Sequence, residues 1–211
     1  MDPLSDMDPE ELPWRPASVG RSYVYVFPCR GEDILKLGFS RDPLDRLQSL
    51  HQRYFDFFDL DAAFLVETDT VREARAIKLA QGRALKLHSA PAPLLVSRAA
   101  GGHTEWYRGA LPTLVAATAK MEAQGYRVHR CVRGWLRERL TERFGVLHHW
   151  SARMLEAIEA EHGTSTAPIQ SGELTRTLRN ALDAYVAVGL SISTVVPAAV
   201  SQWHADVASR S

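Results

Sequence analysis

Residues 22–40 read SYVYVFPCRGEDILKLGFS, two short runs of β-branched, aromatic and aliphatic side chains separated by PCRGED. Runs of this kind on either side of a glycine-containing turn specify a β-hairpin. Alternation along a strand puts Tyr23 and Tyr25 on one face of the first run, and Lys36 and Gly38 on one face of the second. Just downstream, Ser40 is a candidate helix cap, with Asp42 in the first turn and Pro43 near the start. Leu44, Leu47, Leu50 and His51 then recur at helical spacing, so the pattern predicts an amphipathic helix over 41–53 that carries Arg41, Arg46 and His51.

Working outward, DFFDLDAAFLVE at 56–67 is rich in aromatic and β-branched residues and reads as a third strand. Asp69 or Thr70 caps a second helix in which Val71, Ala74, Ile77 and Leu85 follow the helical period, and this helix bears Glu73, Arg75 and Lys78. A loop ending at Gly101 and Gly102 leads to HTEWYRG, and a further helix fills 110–124 up to Gly125. A short strand at 126–132 and helices at 133–144, 147–161, 172–188 and 193–208 follow, with Gly145 and GTSTAP as breaks. The expected class is therefore α+β: a three-stranded antiparallel sheet flanked by helices, plus a C-terminal helical extension. The corresponding units are an irregular acidic arm at 1–18, pinned by Trp14, a domain at 19–125 and the extension at 126–211.

The 211 residues carry 25 basic and 25 acidic side chains, which excludes a polycation held to nucleic acid by bulk charge and an acidic disordered tail. The balance is an average. Counted along the chain, residues 72–143 hold 14 basic and 5 acidic groups, an excess of +9, whereas 1–18, 19–71 and 144–211 carry −4, −3 and −2. A basic segment of that size suits a phosphate-facing surface, and equally a solvated helical face whose arginines pair with acids elsewhere. Cys29 and Cys131 have no neighbouring CxxC or CxxH spacing, so neither a disulfide framework nor a zinc knuckle is expected. No leader pattern and no long apolar run stand out, and a cytoplasmic protein with no membrane partner is the expectation.

The hairpin, the arginine helix and the next helix together resemble the GIY-YIG nucleases. The first triplet of that family corresponds to Tyr23-Val24-Tyr25 and the second to Lys36-Leu37-Gly38, with Arg46 eight residues after Gly38. Glu73-Ala74-Arg75-Ala76-Ile77-Lys78 resembles the family's glutamate helix. Tyr23 in place of glycine, Lys36 in place of tyrosine and the later Glu105-Trp106-Tyr107 resemble a phage and bacterial subgroup with a KIG-like second motif and an EW-aromatic third motif. The resemblance covers about residues 22–109, and the family's final asparagine has no counterpart.

This resemblance implies a metal-dependent endonuclease acting on single- or double-stranded DNA. Glu73 would bind Mg²⁺ (or Mn²⁺) through a hard oxygen ligand. Tyr25 would act on the attacking water, with Lys36 as the cation that favours its phenolate, and Tyr23 would lie beside them. Arg46 would clamp the scissile phosphate with its forked donors. His51, at the end of the arginine helix, would contact phosphate or serve as a helix C-terminal cation. Glu105 would support the metal or lock Arg46. Arg41, Arg75, Lys78, Arg130 and Arg137 are the expected DNA-binding cations. The changed second triplet also fits a module of the same fold that binds nucleic acid and cuts poorly or not at all. The apolar last helices need cover, either from the nuclease-like body or at a homodimer interface, and the latter would make this an interaction protein.

Overall fold

The computed structural model describes residues 20–96, 102–164 and 172–209. The acidic arm at 1–18, its Trp14, Gly101 and most of the GTSTAP stretch lie outside them. The chain is α+β, with eight α-helices among the described residues and one antiparallel sheet. The sheet has six strands where three were expected, in the order β4-β5-β2-β1-β3-β6. The strands are β1 (Ser22–Pro28), β2 (Ile34–Ser40), β3 (Phe64–Thr68), β4 (Ser89–Ala90), β5 (Trp106–Arg108) and β6 (Val128–Arg130). The expected hairpin and third strand form its centre. Of the added strands, β6 falls within the short strand expected at 126–132, while β4 and β5, two and three residues long, are too short for a period-2 pattern to announce them.

Helix α1 (Pro43–Leu50) is shorter than the expected 41–53, and its cap is Asp42, not Ser40. The Asp42 carboxylate accepts from the backbone N–H groups of Leu44 and Asp45 at 3.0 and 3.1 Å, while the Ser40 hydroxyl is engaged with Asp42's own backbone. The aromatic stretch after it is not strand at its start: Tyr54–Phe57 is one helical turn, α2, and β3 begins only at Phe64. Tyr54, Phe55 and Phe58 are buried there, so the turn acts as a core plug, and β-propensity is overridden by packing. Thr70 caps α3 (Val71–Ala84), accepting from the Glu73 N–H at 3.1 Å.

Both faces of the sheet are covered. One face, carrying Val24, Val26, Leu35, Leu37, Phe64 and Val66, packs on α3 and α4 (Leu111–Ala123). The other carries Tyr23, Tyr25, Phe27 and Leu65 and packs on α1, α2 and the C-terminal helices α5 (Val132–Thr141), α6 (Phe144–Thr164), α7 (Glu173–Ala187) and α8 (Ala198–Ser209). Gly145, an expected break, lies inside α6. The extension is continuous with the body: β6 joins the sheet, and Leu136, Leu182 and Val200 share one apolar cluster with Tyr23 and Leu47. Burial against the body therefore accounts for the apolar faces of the last helices. Among the described residues no helix is long and apolar enough to cross a membrane.

Candidate functional site

In the β1–β2 ladder Tyr25 opposes Gly38 and Phe27 opposes Lys36. Directly opposed residues share a face, so Tyr25, Lys36 and Gly38 point together toward α1. Tyr25 stacks on Phe27 with ring centroids 4.4 Å apart, and its hydroxyl end lies over Gly38. A Cβ on residue 38 would sit 2.2 Å from the Tyr25 Oη, so glycine is required by close approach and not by a left-handed turn. From α1, whose Leu44, Leu47 and Leu50 enter the core, Arg46 Nε donates to the Tyr25 Oη at 3.1 Å.

β5 pairs with β2 only as far as Lys36, with one further rung from the Leu37 N–H to the Glu105 carbonyl at 3.1 Å. Glu105 then turns the chain away with φ of 68°, a left-handed conformation that costs a non-glycine residue of order 1 kcal/mol or more. From Gly38 onward the outer edge of β2 has no strand partner among the described residues. Into this notch Lys36 comes from one face of the sheet and Lys78 from α3 on the other. The Glu105 carboxylate pairs with Lys78 and lies 3.9 Å from Lys36 Nζ. Lys36 also donates to the Thr104 carbonyl and lies 5.7 Å from the Trp106 ring centroid. Trp106, fully buried, donates its indole N–H to the Gly102 carbonyl and closes the loop beneath.

Tyr25, Lys36, Arg46, Lys78 and Glu105 thus form one cluster of three cations, one carboxylate and one phenol. Lys36 is 1% exposed, and burial, reinforced by Arg46 and Lys78, brings its ammonium down to about 7. Burial raises Tyr25 above the ordinary phenol value against the pull of Arg46, so Tyr25 is a neutral phenol at pH 7. The expectation that Lys36 favours a phenolate there is corrected: the cation acting on Tyr25 is Arg46, and desolvation outweighs it.

Other expected site residues stand elsewhere. Glu73 accepts a hydrogen bond from the Tyr126 hydroxyl at 2.7 Å in a recess of about 360 Å³ lined also by Glu67, Asp69 and Arg127. Residues 73 and 78 diverge by roughly 140° around a helix, so the side that brings Lys78 to Glu105 turns Glu73 elsewhere. His51 stacks on Phe57 at 4.5 Å and its Nδ1 accepts from the Arg53 N–H at 3.2 Å, a turn-closing role, with burial lowering its basicity. Tyr23 packs edge-on against Trp135 at 5.6 Å, its phenol raised first by burial and then by Glu67.

Arg41, Arg75 and Arg137 are exposed, while Arg130 pairs with Glu122 at 2.7 Å. In the arginine-rich stretch Arg139 pairs with Glu142 of the same segment, while Arg133 pairs with Asp61 and Arg143 with Asp42, so acids elsewhere in the fold answer only a small part of the +9 excess. Glu105 and Trp106 matter more than their sequence setting suggested. Two cues were present: a lone acid following a glycine pair, and a tryptophan beside it.

The divalent ion implied by the resemblance fits these donors poorly. The carboxylate at the notch is held by two lysines, Glu73 is held by a phenol, and among the described residues no group of three or more His, Cys, Asp or Glu side chains is arranged so as to hold a metal ion. His148 and His149 cross at nearly a right angle, and His148 is taken up by the Val195 carbonyl. No family model, curated protein or solved structure matches the chain.

Proposed function

We propose that the notch beside β2 binds a phosphodiester of DNA and that the protein acts there as an endonuclease resembling the GIY-YIG type. The observation that carries this reading is the convergence of Lys36 and Lys78 on the Glu105 carboxylate, in the same cluster as Arg46, which is hydrogen-bonded to the buried Tyr25 hydroxyl. Such a cluster offers forked and point-charge donors to an anion. A phosphate entering it takes the place of the Glu105 carboxylate as partner of the lysines. Arg46, anchored through Nε on Tyr25, then neutralises charge that builds on phosphorus oxygens in the transition state. Lys36 near neutrality exchanges a proton at working pH, which suits it to proton transfer as well as to charge stabilisation.

A second reading, DNA binding without cleavage, is favoured by the engagement of Glu73 with Tyr126. One assay separates the two. Purified protein is incubated with supercoiled plasmid and single-stranded DNA, with and without Mg²⁺ or Mn²⁺, and wild type is compared with Tyr25→Phe, Arg46→Ala, Glu73→Ala and Glu105→Ala. Nicking lost in Arg46→Ala and Tyr25→Phe supports the endonuclease. Nicking that survives both assigns it to another site or a contaminant, and salt-sensitive binding without nicking supports the second reading.

A further inference from the structure

Leu94 and Leu95 stand in solvent at 102% and 72% relative exposure, yet Val96, the next residue, is buried. The two leucines are the central residues of a turn closed by the Val96 N–H donating to the Pro93 carbonyl at 3.1 Å. Pro91 and Pro93 restrict the approach to that turn, so the leucines are held out by a braced backbone. A single exposed leucine is ordinary, but two adjacent ones at a braced tip form a projecting apolar edge.

The anchor of this tip is the notch. A Cβ on Gly102 would lie 2.6 Å from Leu50, 3.2 Å from Val96 Cγ1 and 3.9 Å from Arg46 Nη2, so Val96 and the guanidinium adjoin one point. The sequence from Leu79 to Thr104, which contains the tip, holds no Asp or Glu, and Arg83 and Lys86 within it are basic. A polyanion is the partner that such a surface attracts. Two leucines are too small an apolar area for a stable protein interface, which takes ~800 Å² from each partner, whereas they match a single unstacked base step.

We propose that the Leu94–Leu95 turn is a wedge that enters a base step of DNA whose backbone is held at the Arg46–Lys78 notch. This rests on the nucleic-acid reading above and adds to it the way the duplex is deformed. Backbone cations position the chain, and the apolar tip selects steps that unstack at low cost, so preference for flexible, mismatched or nicked sites follows without base-edge hydrogen bonds.

The test uses the full chain with 30-base-pair duplexes carrying 2-aminopurine at successive positions, intact or with a central mismatch. Binding of wild type is expected to raise the fluorescence at one or more positions at least about twofold, reporting unstacking. The double variant Leu94→Ser/Leu95→Ser, folded as judged by its unchanged thermal midpoint, is expected to keep the salt slope of binding and lose the fluorescence rise. Saturated wild-type complexes with no rise at any position, or a rise that persists in the double variant, overturn the wedge and leave DNA binding intact. Failure of wild type to bind any of the duplexes or their single strands overturns both. Self-association of wild type in sedimentation that disappears in the double variant overturns the wedge in favour of an interface between copies of this chain.

Discussion

Glu105 and Glu73 are two carboxylates at the margin of one sheet, and they keep opposite company. Glu105 lies where β5 ends, between an almost fully buried lysine and a second lysine from the other face. Glu73 lies in a recess with Glu67 and Asp69, and its partner is the neutral hydroxyl of Tyr126. The first environment is cationic and the second acidic. The first position therefore invites an anion that replaces Glu105, and the second, already occupied by a phenol donor, does not. Residue type alone, read along the chain, does not separate them.

The largest expected effect breaks the notch itself. Gly38→Ala drives a methyl group into the Tyr25 hydroxyl and is expected to cost about 1–3 kcal/mol of stability by overpacking, measured by urea unfolding, with the Tyr25–Arg46 bond lost. Arg46→Ala comes next. Removing a charge-assisted contact is expected to weaken DNA binding about 10–100-fold at low salt, while Arg46→Lys recovers part of it, as fluorescence anisotropy would show.

The direct comparison is smaller and more diagnostic. Glu105→Gln frees the two lysines and is expected to strengthen DNA binding about fivefold, the worth of one partly exposed charge pair, whereas Glu73→Gln leaves it unchanged within about twofold. Weakening by Glu105→Gln would remove the idea that its carboxylate competes with phosphate. The last effect is a pH dependence. Lys36 carries its charge below about 7, so affinity is expected to fall, by less than about fivefold, as pH rises through that value, and Lys36→Met is expected to abolish the step. Stability moves the opposite way. The unfolded chain binds the Lys36 proton more tightly than the folded one between about 7 and the ordinary 10.5, so stability rises with pH across that window and the slope vanishes in Lys36→Met.

Much of this organisation was legible in the sequence wherever a period ran long enough. The hairpin at 22–40 and α3 were readable from spacing, and alternation paired Tyr23 with Tyr25 and Lys36 with Gly38, while the register that brings Tyr25, Lys36 and Gly38 to one face came from the β1–β2 ladder. Tyr54–Phe57 was misread because aromatic residues favour strands on average, and only their role as a core plug reverses that. β5 was invisible because Trp106–Arg108 has no room for a pattern. At the site, Arg46 was legible through its place on α1, while Glu105 was not, since its role depends on a left-handed backbone and on lysines 69 and 27 positions away in sequence (105 − 36 and 105 − 78). That Glu73 lies apart from the notch follows from helical geometry that the sequence did contain: five residues separate it from Lys78, and residues five apart do not share a face.

The recruitment of β6 into the sheet has a consequence for how the protein is made. Val66 on β3 pairs with Val128, 62 positions later (128 − 66), so the outer edge of β3 has no covering strand until that segment has been synthesised. At ribosomal rates this delay lasts about 3–12 s. An apolar strand edge left bare for seconds is a template for pairing with another nascent chain. The translation interval between β3 and β6 is thus the period in which this chain most needs shielding, and lengthening it with slow codons is expected to lower soluble yield.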